Sequence, residues 1–174
     1  MKILCSGNPN HNTVANAVKK FFPMADFACR TTGFDLTFDT LDNQTYFKNQ
    51  VCQYDIFINS SNIANGAQLQ LLLTTHAEWM RLDIKGHIIN IGSSVELSDD
   101  NSNYAHSKRA LKACSLELSK QTGISGIKCT HIVASGINDG KPEHKHWLDL
   151  DDIAKSIDYI LQAKHNIPLI HLEP

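Results

Sequence analysis

Tyr104 and Lys108 stand four residues apart in Tyr-Ala-His-Ser-Lys, a spacing that puts two side chains on one face of a helix, one turn apart. An ammonium beside a phenol favours the phenolate, so the hydroxyl becomes usable as an acid or base near neutral pH. Upstream, the run His-Ile-Ile-Asn-Ile reads as a buried strand that leads through Gly92 into Ser93 and Ser94. A hydroxyl at the carboxyl end of a parallel strand faces the crevice where open α/β sheets take their ligands. One serine can hold a substrate oxygen there while Tyr104 exchanges a proton with it.

These residues need a scaffold, and the chain supplies one by alternating short apolar runs with helix-like stretches. Residues 2–5, 26–30, 34–38, 55–59, 87–91, 127–133 and 167–172 read as strands. Helical spacing covers 13–22, 66–81, 104–120 and 151–163, and Leu41–Val51 is compatible with a helix. In 66–81 the apolar face is assigned to Leu69, Leu72, Leu73, His76 and Met80. Strands that alternate with helices imply parallel pairing with helices on both faces. The expected fold is a doubly wound parallel α/β sheet, Rossmann-like, with residues 1–174 forming a single domain.

Composition narrows the function. Sixteen Lys and Arg against eighteen Asp and Glu give a net charge of −2, with no basic stretch to attract nucleic acid or an anionic membrane. No run has the length of a membrane span or a signal peptide. The five cysteines (Cys5, Cys29, Cys52, Cys114, Cys129) are scattered without a C-x-x-C spacing, which argues against zinc or a disulfide framework and for a reducing, cytoplasmic setting. Glu143, His144 and His146 are the best metal candidates, but they lack an i, i+4 pair and read as a solvated loop, so no metal is expected. A small molecule is the expected partner.

The order strand, serine, loop, Tyr-x-x-x-Lys resembles the short-chain dehydrogenase/reductase family, in which Ser, Tyr and Lys are catalytic. Further matches run along most of the chain. Asp-Ile-Phe-Ile-Asn59-Ser60-Ser-Asn resembles the strand ending in an Asn-Asn-Ala-Gly-like signature, and Asn65 stands about where an asparagine helps to hold a proton-relay water. Both asparagines are also suited to a structural role, satisfying backbone groups where strands end, and for Asn59 that role is preferred. Ser135, Gly136 and Ile137 resemble the Pro-Gly turn on the nicotinamide side, with serine in place of proline. Counting from Asn90 favours Ser93 as the catalytic serine, whereas counting back from Tyr104 favours Ser94; Ser93 is preferred. The glycine-rich cofactor loop is degenerate: Gly7 is kept, but His11 and Thr13 replace the other two glycines, leaving Asn8, Asn12 and Thr13 as polar contacts. Arg30 and Thr31, in Arg-Thr-Thr-Gly, resemble the turn that takes a 2′-phosphate in very short NADP-linked members. Asp39 resembles the aspartate that contacts adenine, or serves as a helix N-cap.

The resemblance implies an NAD(P)-dependent oxidoreductase, with NADP preferred over NAD, that moves hydride between the nicotinamide and a small carbonyl or alcohol substrate. Tyr104 exchanges the proton, Ser93 or Ser94 orients the oxygen, Lys108 tunes Tyr104 and touches the ribose, and Asn65 supports the proton path. The alternative is a degenerate dinucleotide-binding or sensing module without efficient turnover. The helix between the second and third strands is expected to be missing, and the segment after Gly136 is a short lid. The two long helices, through Leu69, Leu73, Trp79, Ala110, Leu111 and Cys114, are candidates for a homodimer or tetramer interface.

Overall fold

The computed structural model describes all residues except 36, 38–39, 62–65 and 139. Its elements follow the order β1 (Ile3–Ser6), α1 (Val14–Phe21), β2 (Asp26–Ala28), α2 (Leu41–Val51), β3 (Ile56–Asn59), α3 (Ala67–Arg81), β4 (His87–Ile91), α4 (Asn103–Lys120), the one-turn α5 (Thr122–Ser125), β5 (Lys128–Ala134), α6 (Leu150–Gln162) and β6 (Leu169–Leu172). The described strands form one sheet in the order β2-β1-β3-β4-β5-β6, with every pairing parallel. This is the expected doubly wound fold. The chain moves outward from β1 to β2 and then crosses to β3 on the other side of β1. The β1/β3 boundary is therefore the topological switch point, where such sheets open a crevice at their carboxyl ends.

Side-chain alternation explains why the sheet is covered twice. Ile3, Cys5, Ile56, Ile58, Ile89, Ile91, Ile132 and Ala134 join Val14 and Val18 of α1 and Ile153, Ile157 and Ile160 of α6 in one core. Leu4, Phe57, Ile88 and Cys129 point the other way, toward Phe47 and Val51 of α2, Leu71, Leu72 and Trp79 of α3, and Leu111 of α4. Burial on both faces is why these strands read as near-continuous apolar runs.

Three details differ from the sequence reading. α2 fills the connection between β2 and β3, so no helix is missing there. The run 34–38 is not a strand among its described residues: Phe34 is buried and stacks on Phe47, ring centroids 5.4 Å apart. The buried face of α3 is Gln68, Leu71, Leu72, Thr75, His76 and Trp79, while Leu73 and Met80 are exposed. Trp79 sets that rotation. Its indole N–H donates to the Val51 carbonyl (3.0 Å), and its ring occupies the space where a Cβ on Gly86 would sit. Trp79 and Leu111 are thus committed to the core rather than to an outer face. All five cysteines are free thiols, and among the described residues no helix is long and apolar enough to cross a membrane.

Candidate active site

At the switch point the carboxyl ends of β1, β3, β4 and β5 surround a cavity of about 600 Å³. Gly7, Asn8, Asn12, Thr13 and Ser60 line it from one side, and Ser93, Ser94, Tyr104 and Lys108 from the other. Ser135, Gly136 and Ile137 complete the wall. Residues assigned to cofactor and to catalysis from separate stretches of chain therefore meet in one place.

The start of α4 positions Tyr104 and Lys108. Ser102 caps the helix by accepting the Ala105 N–H (3.2 Å), and Asp100 holds Ser102 in turn. Tyr104 lies in the first turn, half-buried, and Lys108 is buried one turn later. The Lys108 ammonium donates to Gln68 Oε1 (2.7 Å) and to the Ile91 carbonyl (3.1 Å), and lies 5.6 Å from the Tyr104 ring centroid. Burial pulls its pKa down to about 8, while the charge of Glu96 acts the other way. The lysine is therefore poised to lose its proton just above neutrality.

Ser93, two residues past β4, caps the 3-10 turn Ser94–Leu97, its Oγ accepting the Val95 N–H (3.4 Å). That bond uses a lone pair and leaves the Ser93 proton available to a ligand. Among the described residues the Ser94 hydroxyl has no hydrogen bond, and none joins Tyr104 Oη directly to either serine. All three residues line the same cavity.

The cofactor side is built on Gly7. Its φ of +129° suits only glycine, and a Cβ there would come within 3.2 Å of Ala15 Cβ and 3.3 Å of Ser60 Oγ. Backbone and the start of α1 thus approach closely, as a pyrophosphate site requires. Beyond Gly7 the loop folds on itself: Thr13 Oγ1 donates to the Asn8 carbonyl (3.1 Å) and Asn16 Nδ2 to the Pro9 carbonyl (2.8 Å). His11 and Thr13 stand exposed where glycines were expected. The surviving cradle fits a dinucleotide phosphate.

The remaining sequence candidates lie elsewhere. Arg30 opens the turn after β2, exposed, with its Nε 3.6 Å from Asp35 Oδ1. Thr31 Oγ1 shares a hydrogen bond with Cys29 Sγ (3.0 Å). Neither reaches the cavity wall. Asn59 is not a cavity residue: fully buried, it donates to Asn90 Oδ1 (2.9 Å) and the Gln68 carbonyl (2.8 Å), which is a structural role. Asp39 and Asn65 lie outside the described residues. Pro142–His144 forms a short turn whose His144 ring stacks on Trp147 (3.6 Å between centroids). Among the described residues no cluster of His, Cys, Asp or Glu is placed to hold a metal ion.

Sequence reasoning missed Gln68, Ser61 and Trp147. Gln68 ties Lys108 to the sheet, since its Nε2 also donates to the carbonyls of Asn59 (2.8 Å) and Ile91 (3.1 Å). The available signal was a glutamine at the start of a leucine-rich helix, shared with Gln70, which is exposed. Ser61 and Trp147 line the cavity and carry no local signature.

No protein-family model and no curated protein matches the sequence. Solved structures do match. The serine dehydrogenase from Escherichia coli aligns at a TM-score of 0.76 and 14% identity, covering 100% of this chain and 98% of that one. A 4-hydroxyisoleucine dehydrogenase complexed with NADH and succinate aligns at 0.75 and 20% identity, covering 98% and 96%. The short-chain dehydrogenase from Sphingobium yanoikuyae in complex with NADPH aligns at 0.75 and 13%, covering 98% and 87%. At these identities the likeness speaks for architecture: the chain has the short-chain dehydrogenase/reductase fold.

Proposed function

We propose that this chain is an NAD(P)-dependent oxidoreductase acting on a small carbonyl or alcohol. The observation that carries the reading is the convergence of Tyr104, Lys108 and two serine hydroxyls on the cavity that Gly7 and the start of α1 open at the switch point. Similar structures holding NADPH or NADH support it. A nicotinamide dinucleotide supplies the hydride when bound. The Gly7 cradle and the first N–H groups of α1 would hold its pyrophosphate, and Ser135, Gly136 and Ile137 its nicotinamide end. Arg30 offers a guanidinium to a 2′-phosphate, which favours NADP.

The residues of the chain then divide the work. Ser93 donates a hydrogen bond to the substrate oxygen, with Ser94 beside it. Tyr104 gives or takes the proton on that oxygen, and the Lys108 ammonium stabilises the phenolate form. Gln68 keeps Lys108 in reach of both Tyr104 and the cavity. The free thiols suit a reducing compartment. Exposed Leu73 and Met80 on α3 favour self-association through the long helices, which sedimentation velocity reads as a species of twice the chain mass.

Calorimetric titration with NADPH and NADH, followed by turnover of a panel of ketones and aldehydes, tests the reading. Binding with turnover supports it; binding without turnover of any carbonyl makes the chain a dinucleotide-binding module. Arg30→Ala should weaken NADPH about tenfold and leave NADH unchanged, corresponding to roughly 1.4 kcal/mol. Equal effects on both discard the phosphate contact.

A further inference from the structure

The last rung of the sheet before its carboxyl edge is polar on the side covered by α3 and α4. Asn59, Asn90 and His131 are register neighbours on β3, β4 and β5, and all three are fully buried. The two asparagines bond to each other, and Asn90 also donates to Ser115 Oγ (3.1 Å). His131 does something else. Its Nε2 lies 3.0 and 3.1 Å from the two carboxylate oxygens of Glu96, and both side chains are wholly excluded from solvent. Glu96 reaches back beneath the turn that presents the two serines, and its Oε2 accepts the Ser93 N–H (3.4 Å). From α4, Lys112 Nζ approaches Glu96 Oε1 at 3.9 Å.

Gly92 records how tightly this pair fits. A Cβ at that position would collide with His131 Nε2 and Glu96 Oε2, so the chain crosses directly over the pair on its way to Ser93. Burying a carboxylate is costly unless it is paired, and an apolar pair would fill the same volume without that cost. Apolar packing does not, however, fix a direction. Hydrogen bonds from Glu96 to β5 and to the Ser93 backbone do, because both ends must be satisfied at once.

We propose that Glu96 and His131 are positioning residues, a buried carboxylate–imidazole clamp that locks the turn carrying Ser93 so that its hydroxyl addresses the substrate oxygen. Neither lines the cavity, and both act through Ser93. The inference rests on the oxidoreductase reading for its catalytic consequence, though the clamp itself is a structural claim. A second consequence concerns Lys108, which is faced by the Tyr104 ring on its own helix, Gln68 from α3 and the Ile91 carbonyl from β4. The carboxylate of Glu96 favours its protonated form.

Amide hydrogen exchange of residues 93–97, with kinetics on the same variants, tests the clamp. Glu96→Gln should speed exchange of the Ser93 and Val95 amides at least about tenfold while the protein stays folded. It should lower kcat about 10- to 100-fold, as a misplaced group does, with KM for NADPH within about twofold. The alkaline limb of the kcat profile should move to lower pH, since Lys108 loses a favourable charge. Below that alkaline limb, the Ser93→Ala/Glu96→Gln double variant should be no slower than Ser93→Ala alone. His131→Gln, which keeps an N–H near the Nε2 position, should retain most of kcat, whereas His131→Leu should not. If Glu96→Gln does not fold, the contrast between the two His131 variants decides by the same exchange readout. Unchanged exchange in the clamp variants, or losses that add in the double variant, would overturn the proposal. Wild-type protein that turns over no carbonyl compound defeats the oxidoreductase reading instead, and the exchange measurement still decides the clamp.

Discussion

The two walls of the cavity are built on different terms. On the β4–α4 side Lys108 is held from behind by Gln68 and Ile91, Ser93 by its turn, and the start of α4 by Ser102. On the β1–α1 side only the stretch at Gly7, Ser6 and Ser60 is fastened, with Ser6 Oγ accepting the Ser60 N–H (3.0 Å) and Ser60 Oγ donating to the Ser6 carbonyl. Past Gly7 the loop satisfies itself, and Arg30 leans on Asp35 at the surface. The contrast teaches that the wall proposed for proton chemistry is specified by directional bonds, while the wall proposed for the dinucleotide rests on one positive-φ glycine and a helix start.

Substitutions can break or sharpen this asymmetry. The largest effect is expected from Tyr104→Phe, which removes the proton donor and should reduce kcat about 10³-fold with calorimetric NADPH affinity preserved; a parallel loss of affinity would tie the two walls together. Next comes pH. Lys108 carries its proton below a pKa of about 8 and loses it above, so kcat should fall as pH rises through that value. A profile flat to pH 10 would remove the lysine from the proton step. On the other wall, Gly7→Ala forces a side chain into a positive-φ position already crowded by Ala15 and Ser60. It should cost about 1–3 kcal/mol of stability, seen in denaturant unfolding, and weaken NADPH about tenfold or more. If kcat at saturating cofactor holds, the walls are separable.

Much of this was legible in the sequence because buried parallel strands announce themselves. The runs 55–59 and 87–91 were placed to within one residue, and the Tyr104–Lys108 spacing located the face of α4 that lines the cavity. The α3 face was misassigned because counting leucines ignores which side chain must go inside. Trp79, with its N–H satisfied by Val51, outranked Leu73 and Met80. Partners that meet across long separations left no pattern to read: Gln68 and Lys108 are 40 residues apart, and Glu96 and His131 are 35. Only the Ser93-x-x-Glu96 spacing, a capping-box signature, was visible locally. The replaced glycines were seen, but that the loop would close on its own carbonyls was not, because such turns depend on geometry rather than residue type.

The Ile137–Leu148 bridge has a consequence for what can enter. Leu148 N–H donates to the Gly136 carbonyl (2.9 Å) and Asn138 N–H to the Leu148 carbonyl (2.8 Å), so the excursion between them is cinched at its neck. Beside that neck Trp147 lines the cavity, and its ring occupies the space where a Cβ on Gly136 would sit, so the bridge fixes one wall of whatever enters.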